Sequence, residues 1–110
     1  MIRAAGLALL LAQPALAAPE VVLAVYDCEG GIQLRAAYVT AADGAVVVVH
    51  VNDRMFALAR VEAASGAKYV GPSPEDDGSE SIWWDKGETA LFGLRKNATD
   101  VPIAFCQKSG

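Results

Sequence analysis

The chain has 110 residues, of which 54% are hydrophobic, and its 9 basic and 13 acidic residues give a formal net charge of -4. This length predicts a single domain. No basic stripe is available to meet a phosphate backbone, so the sequence argues against a nucleic-acid partner, and the acidic balance instead favours encounter with a cationic protein.

The first 17 residues have the composition of a secretory signal peptide. Arg3 supplies a positive n-region, residues 7–12 form an apolar h-region, and Ala15-Leu16-Ala17 is an A-x-A cleavage site. The apolar run is too short to span a bilayer, and no cysteine follows it directly as a lipoprotein would require. We therefore expect residues 18–110 to form a mature domain, periplasmic or secreted, without a membrane anchor.

Cys28 and Cys106 are the two cysteines of the chain, one near each end of the expected mature domain. In an exported protein such a pair predicts a single disulfide. The two residues enclose 77 others, and closing a loop of that size contributes roughly 4 to 5 kcal/mol in the chain-entropy model. This value is comparable to the whole stability expected of a small domain.

Eight short apolar segments follow one another, separated by turn residues such as Glu29-Gly30-Gly31 and the hairpin signal Asp43-Gly44. The composition of the fourth segment would also suit a short helix. The pattern predicts an all-β fold, either an antiparallel barrel or a sandwich, and a disulfide between the first and last strands suits a barrel. The segments are residues 21–26, 32–39, 46–51, 55–61, 67–71, 81–85, 89–95 and 101–106.

Few residues in this sequence fit a catalytic or metal site. Ser65 and Lys68 match the S-x-x-K pattern of penicillin-recognising serine enzymes, but that chemistry needs a helix inside a much larger fold, so we treat the match as chance. His50 is the only histidine, and both cysteines are assigned to the disulfide. We therefore expect neither a metal nor a cofactor.

Two stretches stand out: Ala64-Ser65-Gly66-Ala67-Lys68-Tyr69 and, after an acidic loop over residues 72–80, Trp83-Trp84-Asp85-Lys86-Gly87-Glu88. Trp83 and Trp84 should face opposite sides of one strand, one in the core and one outside. Together with Tyr26, Cys28, Ala90 and Cys106, these stretches resemble the MliC/PliC family, the membrane-bound or periplasmic inhibitors of c-type lysozyme from Gram-negative bacteria.

The resemblance implies an eight-stranded antiparallel barrel with the disulfide, and c-type lysozyme as the protein partner. It also implies that Ser65 and Lys86 enter the lysozyme cleft and meet its catalytic carboxylates, blocking sugar access. The remaining residues that the resemblance assigns to lysozyme binding are Gly66, Ala67, Lys68, Tyr69 and Gly87.

Three alternatives stay open at this point. The chain could be an exported small-ligand or cell-envelope binding module that uses the Trp83/Trp84 edge, although eight short strands leave little room inside a barrel. An enzyme with a Ser65/Lys86 dyad is the least favoured, because Lys86 beside acidic residues suits donation rather than base chemistry. In the third alternative neither residue has a binding role: Ser65 caps a turn, and Lys86 is a solvated charge.

Overall fold

The eight apolar segments are the eight strands of one antiparallel sheet. The computed structural model describes residues 18–75 and 77–109, so the expected signal peptide lies outside the described residues. The all-β class is confirmed, and the fourth segment is a strand rather than a helix. The strands are β1 (Glu20–Cys28), β2 (Ile32–Ala41), β3 (Gly44–Val51), β4 (Arg54–Val61), β5 (Ala67–Pro72), β6 (Glu80–Asp85), β7 (Thr89–Lys96) and β8 (Thr99–Lys108).

The sheet closes into a barrel, because each strand pairs with its neighbour in sequence and β1 also pairs with β8. The β1–β8 pairing is short: Tyr26 lies opposite Lys108, and Cys28 lies opposite Cys106. The two cysteines form the disulfide, with an Sγ–Sγ distance of 2.06 Å. This arrangement confirms the predicted disulfide and decides for a barrel over a sandwich.

The interior is filled by side chains from the inward faces of the strands. Trp83 and Tyr26 are both 0% exposed, and their rings meet edge to face with centroids 4.9 Å apart. Trp83 Nε1 donates to the Tyr38 hydroxyl at 2.8 Å, and the Tyr38 and Tyr26 hydroxyls are 2.8 Å apart. Each buried polar atom of these three residues therefore has a partner, and burial raises the pKa of both tyrosines.

The hairpin connections alternate between the two ends of the barrel, since successive strands are antiparallel. Ser65 lies in the β4–β5 loop and Lys86 in the β6–β7 loop, so both are at one end. The acidic β5–β6 loop lies at the other end, where Glu75 pairs with Arg54 and Asp77 with Lys96. In residues 18–75 and 77–109 there is no helix long and apolar enough to cross a membrane.

Candidate functional site

Ser65 and Lys86 meet at one end of the barrel. Strand β5 pairs with β6 so that Ala67 lies opposite Asp85, and this register places the residues just before Ala67 beside those just after Asp85. Lys86 Nζ donates to Ser65 Oγ at 3.3 Å, and both residues are exposed. The structure thus presents an ammonium and a hydroxyl together to solvent, on two adjacent loops.

The Ser65 loop is fixed to strand β6 by two features. Trp84 Nε1 donates to the backbone carbonyl oxygen of Ser65 at 2.8 Å. Gly66 has a φ of +68°, and a Cβ built there would lie only 2.5 Å from the carbonyl oxygen of Asp85. Only glycine allows the loop to approach β6 this closely, so Gly66 determines how far Ser65 lies from strand β6.

The Lys86 loop is a tight hairpin turn with its own hydrogen bonds. Lys86 N donates to the carbonyl oxygen of Thr89 at 2.8 Å, and Gly87 N donates to Asp85 Oδ1 at 2.8 Å. Gly87 takes a φ of +103°, which favours glycine. Lys108 N also donates to the carbonyl oxygen of Glu88 at 2.8 Å, which ties this loop to β8.

Trp84 lies between the two loops and contacts two lysines. The Lys86 ammonium is 4.1 Å from the centroid of the indole ring, and the Lys68 ammonium is 4.7 Å from it. Both distances are within the range in which a cation is attracted to an aromatic face, a contact worth about 0.5 to 2 kcal/mol. The indole ring is therefore occupied by lysine side chains from β5 and from the β6–β7 loop.

The two lysines differ in how their charges are compensated. Lys68 Nζ pairs with Asp100 Oδ2 at 3.1 Å, and its side chain is only 13% exposed. Asp100 also accepts from Arg95 Nε at 2.7 Å, and these bonds, that from Arg95 above all, lower the pKa of Asp100 to about 2. Within the described part of the chain, no carboxylate lies at ion-pair distance from Lys86 Nζ. Of these two lysines, Lys86 is therefore the one whose charge has no ion-pair partner among the described residues.

The sequence matches the family model described as membrane-bound lysozyme-inhibitor of c-type lysozyme (MliC), over residues 26–100. That span includes both loops and most of the barrel. The chain belongs to the MliC family.

Two relatives of this family member agree with the assignment. A membrane-bound lysozyme inhibitor of C-type lysozyme from Cupriavidus necator is 31% identical over 91 residues, which cover 81% of this chain and 67% of that protein. Among solved structures, Pseudomonas aeruginosa MliC, crystallised in complex with hen egg white lysozyme, superposes with a TM-score of 0.65. That alignment is 29% identical and covers 90% of this chain and 92% of the other.

The structure of this MliC-family chain places one predicted binding residue in the core. Tyr69 is 5% exposed and belongs to the core, with its ring centroid 5.9 Å from that of Tyr38. Alternation along β5 turns Lys68 outward and Tyr69 inward. The contact of Tyr69 with lysozyme stays a prediction. Ala67 is half-buried against the same core. These two residues support the site from inside the barrel.

The structure also shows where the residues of the S-x-x-K match and the two tryptophans lie. Ser65 lies in a loop and Lys68 in a strand, with Lys68 bound to Asp100, so the helical geometry of an S-x-x-K enzyme is absent here. Trp83 faces the core and Trp84 the outside, as strand alternation predicts. Residues 18–75 and 77–109 contain no group of three or more His, Cys, Asp or Glu side chains placed to hold a metal.

Asp100 and the double role of Trp84 were missed at the sequence level. Asp100 stands 32 residues from Lys68, and no local pattern in the sequence links the two. One of Trp83 and Trp84 was predicted to lie outside the barrel, but that prediction gave no sign that the N–H and the ring of Trp84 are both engaged. The strand register was the one signal that could have placed Trp84 beside Lys68.

Proposed function

We propose that this chain inhibits c-type lysozyme by placing the Lys86 ammonium and the Ser65 hydroxyl in the active-site cleft of the enzyme. The observation that carries the proposal is the 3.3 Å contact between Lys86 Nζ and Ser65 Oγ, at an exposed end of the barrel in a member of the MliC family. A relative from Pseudomonas aeruginosa was crystallised with hen egg white lysozyme, which supports the same class of partner here.

The chemistry of the pair matches what such a cleft offers. A retaining glycosidase holds a carboxylic acid and a carboxylate about 5 to 5.5 Å apart. A lysine ammonium carries three donors and a serine hydroxyl one more, so one donor can join Lys86 to Ser65 while the others face the two carboxyl groups. The acceptors of the cleft would then remain paired after water has left, and a sugar could not bind between them.

We propose distinct roles for the neighbouring residues. Gly66 and Gly87 allow both loops to turn tightly and form part of the contacting surface through their backbones. Lys68, held by Asp100, borders the contact from the side of β5. The chain contains no carboxylate competitor for Lys86 among its described residues, so the charge is available to the lysozyme carboxylates.

We also propose that the chain acts in the periplasm or outside the cell, after loss of residues 1–17. The Cupriavidus relative is named as membrane-bound, but lipid attachment to a cysteine would need a free thiol. The two cysteines of this chain are joined in the disulfide, so neither is available for such an anchor.

The test is the rate at which a c-type lysozyme lyses a cell-wall suspension, with and without the purified protein. We expect Lys86→Ala to weaken inhibition by about 30-fold or more, since removing one partner of a buried charge pair costs about 2 to 5 kcal/mol. Lys96→Ala is the matched control, because Lys96 is an exposed lysine at the opposite end of the barrel. Ser65→Ala combined with Lys86→Ala should lose less than the two single losses together, because both side chains would enter one cleft.

Lysis that continues at the full rate with micromolar wild-type protein would contradict the proposal. Equal losses in Lys86→Ala and Lys96→Ala would contradict the assigned site, because they would point to net charge alone. These two results are distinguishable, since the first concerns the partner and the second only the residues.

The structure does not favour the alternatives. Trp83 is 0% exposed, and the N–H and ring of Trp84 are already engaged by Ser65, Lys86 and Lys68, so the Trp83/Trp84 edge offers no open aromatic platform for a small ligand. The MliC family is one of inhibitor proteins and not of enzymes. We therefore propose that the Ser65 and Lys86 pair binds a partner and is not a catalytic dyad.

A further inference from the structure

We infer that Trp84 is the positioning residue of the site: its single side chain holds Ser65 and Lys86 together as one preassembled unit. The effect on lysozyme inhibition rests on the proposed function, whereas the positioning itself is a property of the free protein and is measurable without a partner.

The geometry assigns two separate tasks to the indole. Its N–H donates to the carbonyl oxygen of Ser65 at 2.8 Å and so fixes the β4–β5 loop. Its ring lies 4.1 Å from the Lys86 ammonium and so fixes a side chain of the β6–β7 loop. Trp83, the other tryptophan, cannot contact either loop in this way, because it is buried and donates to Tyr38. Leucine could perform neither task, and phenylalanine only the second.

The ring is itself held in place by its neighbours on the sheet. Trp84 lies in the middle of a row on the outer face, with Lys68 opposite it on β5 and Leu91 opposite it on β7. The Lys68 ammonium reaches the same ring at 4.7 Å, and Asp100 compensates its charge. The ring therefore contacts two lysines: Lys68 of β5, which is paired with Asp100, and Lys86, which has no ion-pair partner among the described residues.

This arrangement bears on affinity through conformational entropy. A lysine side chain that is free in solution loses rotamer freedom when a partner binds it, and this loss weakens binding. A lysine already held on an aromatic ring, 3.3 Å from the hydroxyl that acts with it, loses less on binding. Trp84 would strengthen inhibition without itself contacting the lysozyme carboxylates.

The experiment compares wild-type protein with Trp84→Leu and Trp84→Phe by NMR and by lysozyme inhibition. In the free wild-type protein the Hε protons of Lys86 should resonate upfield of those of Lys96, because the adjoining Nζ lies 4.1 Å from the centroid of the indole ring. In Trp84→Leu they should move to the Lys96 position, and inhibition should weaken at least tenfold. Phe105→Leu is the control: it removes an exposed aromatic ring from the same outer face, on β8, and should change neither measurement.

Trp84→Phe separates the two tasks and keeps the test usable if the leucine variant fails to fold. It retains a ring, so the Lys86 Hε protons should stay upfield. It loses the N–H that donates to the carbonyl oxygen of Ser65, so the NMR order parameters of the Ser65 and Gly66 backbone should fall. Unchanged order parameters in this variant would overturn the first task, and Lys86 protons that are not upfield in wild-type protein would overturn the second.

Two combinations in Trp84→Leu would also overturn the inference. Lost inhibition with an unchanged Lys86 signal would mean that Trp84 contacts lysozyme directly, and a shifted Lys86 signal with full inhibition would mean that positioning does not matter. Wild-type protein that fails to inhibit lysozyme would overturn the proposed function alone, because the NMR signals of the free protein would still decide whether Trp84 positions the pair.

Discussion

Gly66 is the residue on which the position of the Ser65 hydroxyl depends most directly. It combines a φ of +68° with a close approach to β6, where an added Cβ would lie 2.5 Å from the carbonyl oxygen of Asp85 and 3.2 Å from Trp84 Nε1. The first property disfavours a side chain by backbone strain and the second by a steric clash. The same atoms form the hydrogen bond that holds Ser65, so a clash here would displace the site itself.

We expect Gly66→Ala to lower stability by about 1 to 3 kcal/mol and to weaken inhibition strongly. Gly78→Ala is the matched control, because Gly78 has a φ of +83° but nothing within 4 Å of an added Cβ, and it lies at the opposite end of the barrel. The control should lose stability through backbone strain and keep full inhibition. Urea unfolding and the lysis assay measure the two effects, and equal inhibition by both variants would contradict the role assigned to Gly66.

The sequence predicted that Ser65 and Lys86 lie near each other, but not which way the neighbouring side chains point. The resemblance of their two motifs to the MliC/PliC family brought Ser65 and Lys86 together, and the structure places them in contact. The inward orientation of Tyr69 was not predicted. A strand's orientation cannot be read from the sequence until its phase is known, because a shift by one residue exchanges inside and outside. Asp100 was out of reach, since only the tertiary fold brings it to Lys68.

At the level of the strands, Asp100 links β5, β7 and β8 on the outer face of the barrel, beside the site. It lies in β8, accepts from Arg95 of β7 at 2.7 Å, and accepts from Lys68 of β5 at 3.1 Å. The Arg95 guanidinium is the main cause that lowers the pKa of this carboxyl to about 2 from its ordinary value of 3.8, and Lys68 adds to it. The link also holds Lys68 beside Trp84.

The lowered pKa predicts how stability depends on pH. Because the folded state binds the Asp100 proton less tightly than the unfolded state, the stabilising contribution is complete above about pH 4 and is lost as the pH falls toward 2. We expect Asp100→Asn to melt at a lower temperature than wild type at pH 7, with the gap narrowing between pH 4 and pH 2. The contribution should be small, because the carboxylate is partly exposed. A gap that stays constant down to pH 2 would contradict this account.

The strands themselves were largely predictable, because each is a short apolar run between turn residues. The Asn52-Asp53 and Asn97-Ala98 connections have positive φ at both positions, which is typical of the two-residue turns that join antiparallel strands. The choice between barrel and sandwich was not predictable from the segments alone. It depends on the pairing of β1 with β8, which joins opposite ends of the chain and leaves no local pattern.

For the whole molecule, closure of the barrel depends on a narrow seam. Strand β1 pairs with β2 along its full length, but it pairs with β8 only from Tyr26 to Cys28. The Cys28–Cys106 disulfide lies at the end of this seam. Since so few backbone hydrogen bonds join the two strands, the covalent bond carries much of the resistance to opening, and it should matter more to β1 and β8 than to the middle of the sheet.

We therefore expect the Cys28→Ala, Cys106→Ala double variant to lose about 2 to 5 kcal/mol of stability. Amide hydrogen exchange should speed up most at Tyr26 and Lys108, next to the seam, and least in the long pairing of β3 with β4. Reduction of the wild-type protein should reproduce the loss, whereas a reductant should leave the double variant unchanged. Because Ser65 and Lys86 are held by Trp84 and by the pairing of β5 with β6, the variant should still inhibit lysozyme at temperatures where it is folded. Exchange that speeds up equally in all strands would instead show that the barrel opens only by global unfolding, and that the seam is no weaker than the rest of the sheet.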